Sequence, residues 1–276
     1  MQVIPKDMGI EDFISKYVSL DIPIPYKDLF IYPVKVEDSF DFMSYCGIFL
    51  IDKNSIPNIE IIKMSYLKFL LSLIMDEKNG SLWAESFLKT ISICLNIKYD
   101  KDLLRYGAKM GELLFDGYVD KEIICFNGYN LSFVLQNENV SLVINDCQIT
   151  SREFEEIKRL MMYQNIVDYD DRQMNPAIRE AIDKYYKSKN EGIRNPTIED
   201  KISVIIANTG MKQETINNMS YRRFEQVFCK IVEKQDYLVG KIAEMQGCLK
   251  TPVEHWIYKS KKDRYSEAFT SGEFIS

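Results

Sequence analysis

A heptad pattern in the C-terminal half constrains this chain more than any other feature of its sequence. Tyr221, Phe224, Phe228, Ile231, Gln235, Leu238, Ile242 and Met245 recur at alternating spacings of 3 and 4 within 220–247, the period of a helix that keeps one apolar seam. At 1.5 Å per residue such a helix is about 40 Å long. That outreaches a small domain, so the seam must be wrapped by shorter helices of the same chain or offered to another chain. Gln235 occupies an a-type position, where a polar side chain costs stability but fixes register or partner number. Gly240 weakens the helix by about 1 kcal/mol relative to alanine. The residues predicted to make protein contacts are Tyr221, Phe224, Phe228, Ile231, Gln235 and Leu238, with Arg222, Arg223 and Lys230 as charged flanks.

Around this element the 276 residues read as an α+β chain. A mixed N-terminal portion, 1–148, carries a small antiparallel sheet, and a helical portion, 149–276, surrounds the long helix. In the first portion, 31–36 alternates like a short edge strand interrupted by Pro33. Asp38 can cap a short helix, and two apolar helices are expected near 60–76 and 81–96, separated by Asn79 and Gly80. The region 103–145 changes texture. Short apolar runs at 113–115, 123–126, 131–135 and 140–144 are separated by Asp116-Gly117, Asn127-Gly128 and the polar 137–139, a spacing that predicts hairpins. After Cys147 the chain is expected to be helical, with four start signals. Thr150 with Glu153 and Thr251 with Glu254 have capping-box spacing, Asn175 precedes Pro176 ahead of 177–187, and Thr197 can cap a helix running to Gly210.

The same residues argue against reactive chemistry. Lys and Arg number 35 against 41 Asp and Glu, and neither half has the basic excess that phosphate binding needs. His255 is the only histidine. It falls in the first turn of a helix beside Trp256, where packing or capping suits it better than catalysis. The cysteines Cys46, Cys94, Cys125, Cys147, Cys229 and Cys248 are far apart in sequence, without the close pairs that zinc or redox centres use, and read as buried free thiols of a reducing compartment. Asp168, Asp170 and Asp171 begin like a calcium loop, but Gln173 and Arg179 stand where glycine and glutamate are required. No phosphate-cradling glycine motif occurs. The most apolar run, 64–75, contains Lys68 and is shorter than the roughly 20 residues that span a bilayer. The expectation is therefore a non-enzymatic protein without cofactor, metal or membrane partner. Its one basic stretch, 259–264, leaves nucleic-acid association as an alternative, although Asp263 and Glu267 dilute that field.

Several segments carry a resemblance: YPVKV at 32–36, LIDKNSIP at 50–57, IKMSY at 62–66, NPAIREA at 175–181, MSYRRF at 219–224 and HWI at 255–257. Together they resemble tail-morphogenesis proteins, tail assembly chaperones or baseplate-associated components, of tailed bacteriophages and prophages of low-GC Gram-positive bacteria. The Ile-, Lys- and Asn-rich composition fits such hosts. The resemblance implies assembly through protein contacts, with other phage tail proteins or by self-association. It implies a place in the host cell cytoplasm or the virion tail, and it carries over no catalytic or ligand residue. A phage-encoded regulator of a host or defence protein, also a binder, is an alternative from another class.

Overall fold

The structure is a computed structural model. It describes residues 10–101, 113–118, 121–126, 128–136, 139–167, 169, 184, 195–249 and 251–257. The chain divides into two compact units. The first is Met1–Asp170 with Asn217–Arg223, and the second is Asp171–Ile216 with Phe224–Ser276. This division differs from the one expected at 148/149, because the last strand of the sheet and the helix after it pack within the first unit, and a short return segment joins them.

The first unit begins with α1 (Ile10–Leu20), followed by an antiparallel hairpin of β1 (Ile24–Tyr26) and β2 (Leu29–Ile31) in which Ile24 opposes Ile31. The strand expected over 31–36 is thus displaced towards the N-terminus. Pro33 cannot donate to a ladder, and the chain beyond it makes only an isolated bridge, Lys35 to Ser220. Short helices α2 (Ser39–Tyr45), α3 (Gly47–Leu50) and α4 (Ile59–Lys63) lead to α5 (Tyr66–Ile74) and α6 (Gly80–Leu95). The single helix expected over 60–76 is two. Ser65 breaks it, its hydroxyl accepting from the Lys68 amide at 3.2 Å, while Lys53 binds the Ile62 and Met64 carbonyls at the end of α4. Asp38 stands at the α2 N-cap without a side-chain cap bond. Gly80 is required where α6 starts, since a Cβ there would collide with the Ile74 carbonyl.

Five strands form an antiparallel meander: β3 (Leu113–Tyr118), β4 (Lys121–Phe126), β5 (Leu131–Gln136), β6 (Asn139–Ile144) and β7 (Cys147–Thr150). Asp116 and Gly117 are not a turn; they continue β3, opposite Ile123 and Glu122, and the strand runs on until Tyr118 faces Lys121. The chain after Cys147 is also not immediately helical. Asn145 and Asp146 both take positive φ, 45° and 67°, the backbone of a tight hairpin turn. The turn returns β7 so that Ile149 lies opposite Leu142. A buried row then crosses the sheet from Ile124 through Phe133 and Leu142 to Ile149.

That face of the sheet meets α6 and the next helix, α7 (Ser151–Asn165), through an aromatic cluster centred on Phe87. Its ring centroid is 5.2 Å from Phe133, 5.7 Å from Phe126, 5.8 Å from Phe49 and 6.4 Å from Phe154. The capping box expected at Thr150 starts α7: Thr150 Oγ1 accepts from the Glu153 amide, and the Glu153 carboxylate accepts from the Thr150 amide at 2.9 Å. The chain is mixed α+β with a small antiparallel sheet, as expected.

The second unit contains α8 (Ile198–Thr209), capped by a box of Thr197 and Asp200 and closed by Gly210 at φ +71°. The short α9 (Gln213–Asn217) ends where the return segment begins. The long helix α10 (Tyr221–Met245) starts within that segment and continues through the second unit. The calcium-like loop at 168–171, the helix at 177–187 and the basic stretch at 259–264 lie wholly or largely outside the described residues.

Candidate interaction surface

The heptad seam divides into three stretches with different surroundings. The first is the start of α10, which is sewn into the first unit by backbone. Val36 N donates to Met219 O at 3.0 Å and Tyr221 N to Val34 O at 2.6 Å, while Ser220 N donates to Asp21 Oδ2 at 3.1 Å. The buried Asn165 supports this trace, its Oδ1 accepting from Val34 N at 2.8 Å. Arg222 directs its guanidinium to the carbonyls of Tyr163 and Ile166 at the end of α7, where a cation meets the negative end of the helix dipole. Arg222 therefore fastens the fold instead of flanking a contact seam.

The middle of the seam runs beside α8. Lys201 Nζ pairs with both Glu225 oxygens at 2.7 and 2.8 Å and lies 5.4 Å from the Phe228 ring centroid; further on, Gln235 Nε2 donates to Asn208 Oδ1 at 3.2 Å. Both contacts advance along the two helices together, so α8 and α10 run parallel. Phe224 is completely buried, Phe228 and Ile231 are half-buried, and Tyr221 is half-buried as well. Lys230 is paired with Glu233 at 2.6 Å, and Arg223 is exposed.

Beyond Gln235 the seam opens. α8 ends at Thr209, close to the Asn208 contact, and the next apolar residues of α10 are bare: Leu238 is 50% exposed, Val239 68%, Ile242 56% and Met245 87%. Leu238, Ile242 and Met245 follow one another at heptad spacing, with Val239 on the flank. Of the predicted contact residues, only Leu238 belongs to this open stretch. Val239 lies outside the strict 3-4 pattern, and its place next to Leu238 on the widened apolar face is the signal that finds it.

A different face of the same helix half is covered. Residues 251–257 fold back along it: Val253 N donates to Glu244 Oε2 at 3.0 Å, and the His255 ring centroid is 4.8 Å from that of Tyr237. This overturns the helix expected to start at Thr251, whose residues through Ile257 form bends and turns. The Val253 amide, near the start of that expected helix, is taken by Glu244. Lys241 pairs with Glu244 at 2.8 Å, and its hydrogen bond, followed by that of Val253, holds the Glu244 carboxyl below the usual carboxylate range. Helix α10 closes with Gly247 at φ +73°, its amide bonded to Glu244 O and the Cys248 amide to Ala243 O, both at 2.9 Å. This is the paired bonding of a Schellman cap, which only glycine adopts without strain.

Among the described residues, no three His, Cys, Asp or Glu side chains are grouped to hold a metal ion, and no helix is long and apolar enough to cross a membrane. His255 Nδ1 accepts from the Ile257 amide at 3.3 Å. Burial pushes the Cys46 thiol up to about 11 and the Cys94 thiol higher still, which removes the thiolate needed for nucleophilic work. Cys229 and Cys248 are exposed. No protein-family model, curated protein or solved structure matches this chain.

Proposed function

We propose that this chain is a non-enzymatic assembly protein that works by protein contact through the open half of α10, in the tail-morphogenesis class that its sequence segments resemble. The observation that carries the reading is the change along one seam, from Phe224 fully buried to Met245 87% exposed. A chain that needed the seam only for its own core gains nothing from extending Leu238, Ile242 and Met245 past the end of α8, since exposed apolar side chains of this size invite association. Helical partners lie in such seams with anchors at i, i+3, i+4 and i+7.

The test is affinity capture of the tagged full chain from phage-producing cells, together with mass spectrometry of purified particles. The reading predicts tail proteins among the captured partners. Presence of the chain in particles assigns it to the tail structure, and presence in cells alone assigns it to assembly. Failure to find it in particles together with capture free of tail proteins contradicts the tail reading.

A further inference from the structure

We infer that the partner of the open α10 seam is a second copy of this chain, an inference that rests on the contact reading above and names its occupant. The stripe that α8 covers as far as Gln235 carries on without a break through Leu238, Ile242 and Met245, so a helix from another copy takes up the seam where α8 leaves it. Heptads that select a foreign partner do so with charged e and g positions. Here the positions flanking the open stretch are Lys234, Val239, Lys241 and Gln246. In a parallel pair of identical helices, Lys234 of one copy faces Val239 of the other and Lys241 faces Gln246. No like charges oppose in that pairing, so a second copy meets no charge penalty along the seam, and Lys241 is already matched by Glu244 at 2.8 Å within its own chain.

Area sets the strength. The exposed fractions of Val232, Leu238, Val239, Ile242 and Met245 amount to on the order of 500 Å² of side-chain surface, so pairing buries roughly 1,000 Å² over two copies, at the lower edge of specific interfaces. The open helical stretch ends at Met245, where the Gly247 cap stops the ladder. A short seam of this size makes a reversible dimer with a dissociation constant in the micromolar range.

The experiment is sedimentation equilibrium of the full chain across a range of about 1 to 200 µM, with circular dichroism on every variant. Wild type is expected to move from monomer to dimer across that range. Ile242→Asp with Met245→Asp is expected to stay monomeric throughout, with an unchanged helical spectrum, and Met245→Leu to dimerise within a few-fold of wild type. If the paired aspartates lose helix content, Ile242→Ser with Met245→Ser makes the same test with a smaller charge penalty. A wild-type chain that remains monomeric at the highest concentration, or a well-folded double variant that still dimerises, overturns the inference. Tail-protein capture that survives a monomeric wild type leaves the contact reading standing and removes only the second copy as its occupant.

Discussion

Val253 lies against Gly240: a Cβ built on the glycine would come 3.2 Å from both Val253 methyls. A glycine inside a long helix is costly by about 1 kcal/mol, and here it gives the returning 251–257 segment room to lie on the helix surface. Gly240→Ala is expected to strengthen α10 locally while lifting that segment away. Hydrogen exchange should then speed up at the Val253 amide, which now donates to Glu244. Adding Val253→Ala should restore slow exchange. Unchanged protection in Gly240→Ala would mean that Val253 yields without leaving.

The same contact sets a pH dependence. Glu244 is held below its ordinary value by the hydrogen bond from Lys241 and then by that from the Val253 amide. A depressed folded value means that the contribution is complete above the unfolded carboxylate value of about 4.3 and is lost as pH falls through the lower folded one. The Val253 amide resonance should therefore shift in acid as Glu244 is protonated, with a midpoint below that unfolded value. A midpoint at or above it contradicts the assigned pairing.

Arg222 joins the end of α7 to the start of α10 by binding the Tyr163 and Ile166 carbonyls. Arg222→Met keeps the aliphatic stem but removes the guanidinium from both carbonyls, of which that of Ile166 keeps the Tyr169 amide at 3.4 Å, at a cost of about 1 to 2 kcal/mol. Urea unfolding should show the midpoint falling with little change in slope. Arg222→Lys should recover only part of the loss, because an ammonium lacks the planar fork that reaches two acceptors.

Phe87 is the hub of the aromatic cluster linking α6, α3, α7 and the sheet. Phe87→Ala is expected to cost about 3 to 5 kcal/mol, the range for a large buried ring, and Phe87→Leu distinctly less. Thermal unfolding separates them. A small effect of the alanine variant would show that the surrounding rings collapse into the space.

Local chemistry was legible where nothing distant competed for the same groups. Thr150 with Glu153 starts α7 as its spacing requires, and Thr197 starts α8. Thr251 has the same signature as Thr150 and starts no helix by Ile257; its segment instead lies along α10, with the Val253 amide bonded to Glu244 and His255 against Tyr237. Asp116 and Gly117 are turn-forming types placed inside a strand, held there by pairing with Ile123 and Glu122. Conversely, Asn145 and Asp146 are turn-forming residues whose left-handed backbone makes the hairpin that returns β7. The heptad itself is plain in the sequence. Its division into a buried and an open half is not, because that depends on where α8 stops along it, and helix length relative to a neighbour is a property of packing. Arg222 illustrates the same limit: a charge beside a seam looks like a flank until the carbonyls it binds are known.

The most direct measurement places a photo-crosslinking amino acid at position 245 of the purified full chain and maps adducts by mass spectrometry, using isotopically mixed copies to separate links between chains from links within one. Mixed-isotope adducts between the α10 segments of two copies are expected, concentrated at residues 238–245. Links confined to a single chain, or none above those formed from exposed Asp236 outside the seam, would contradict it.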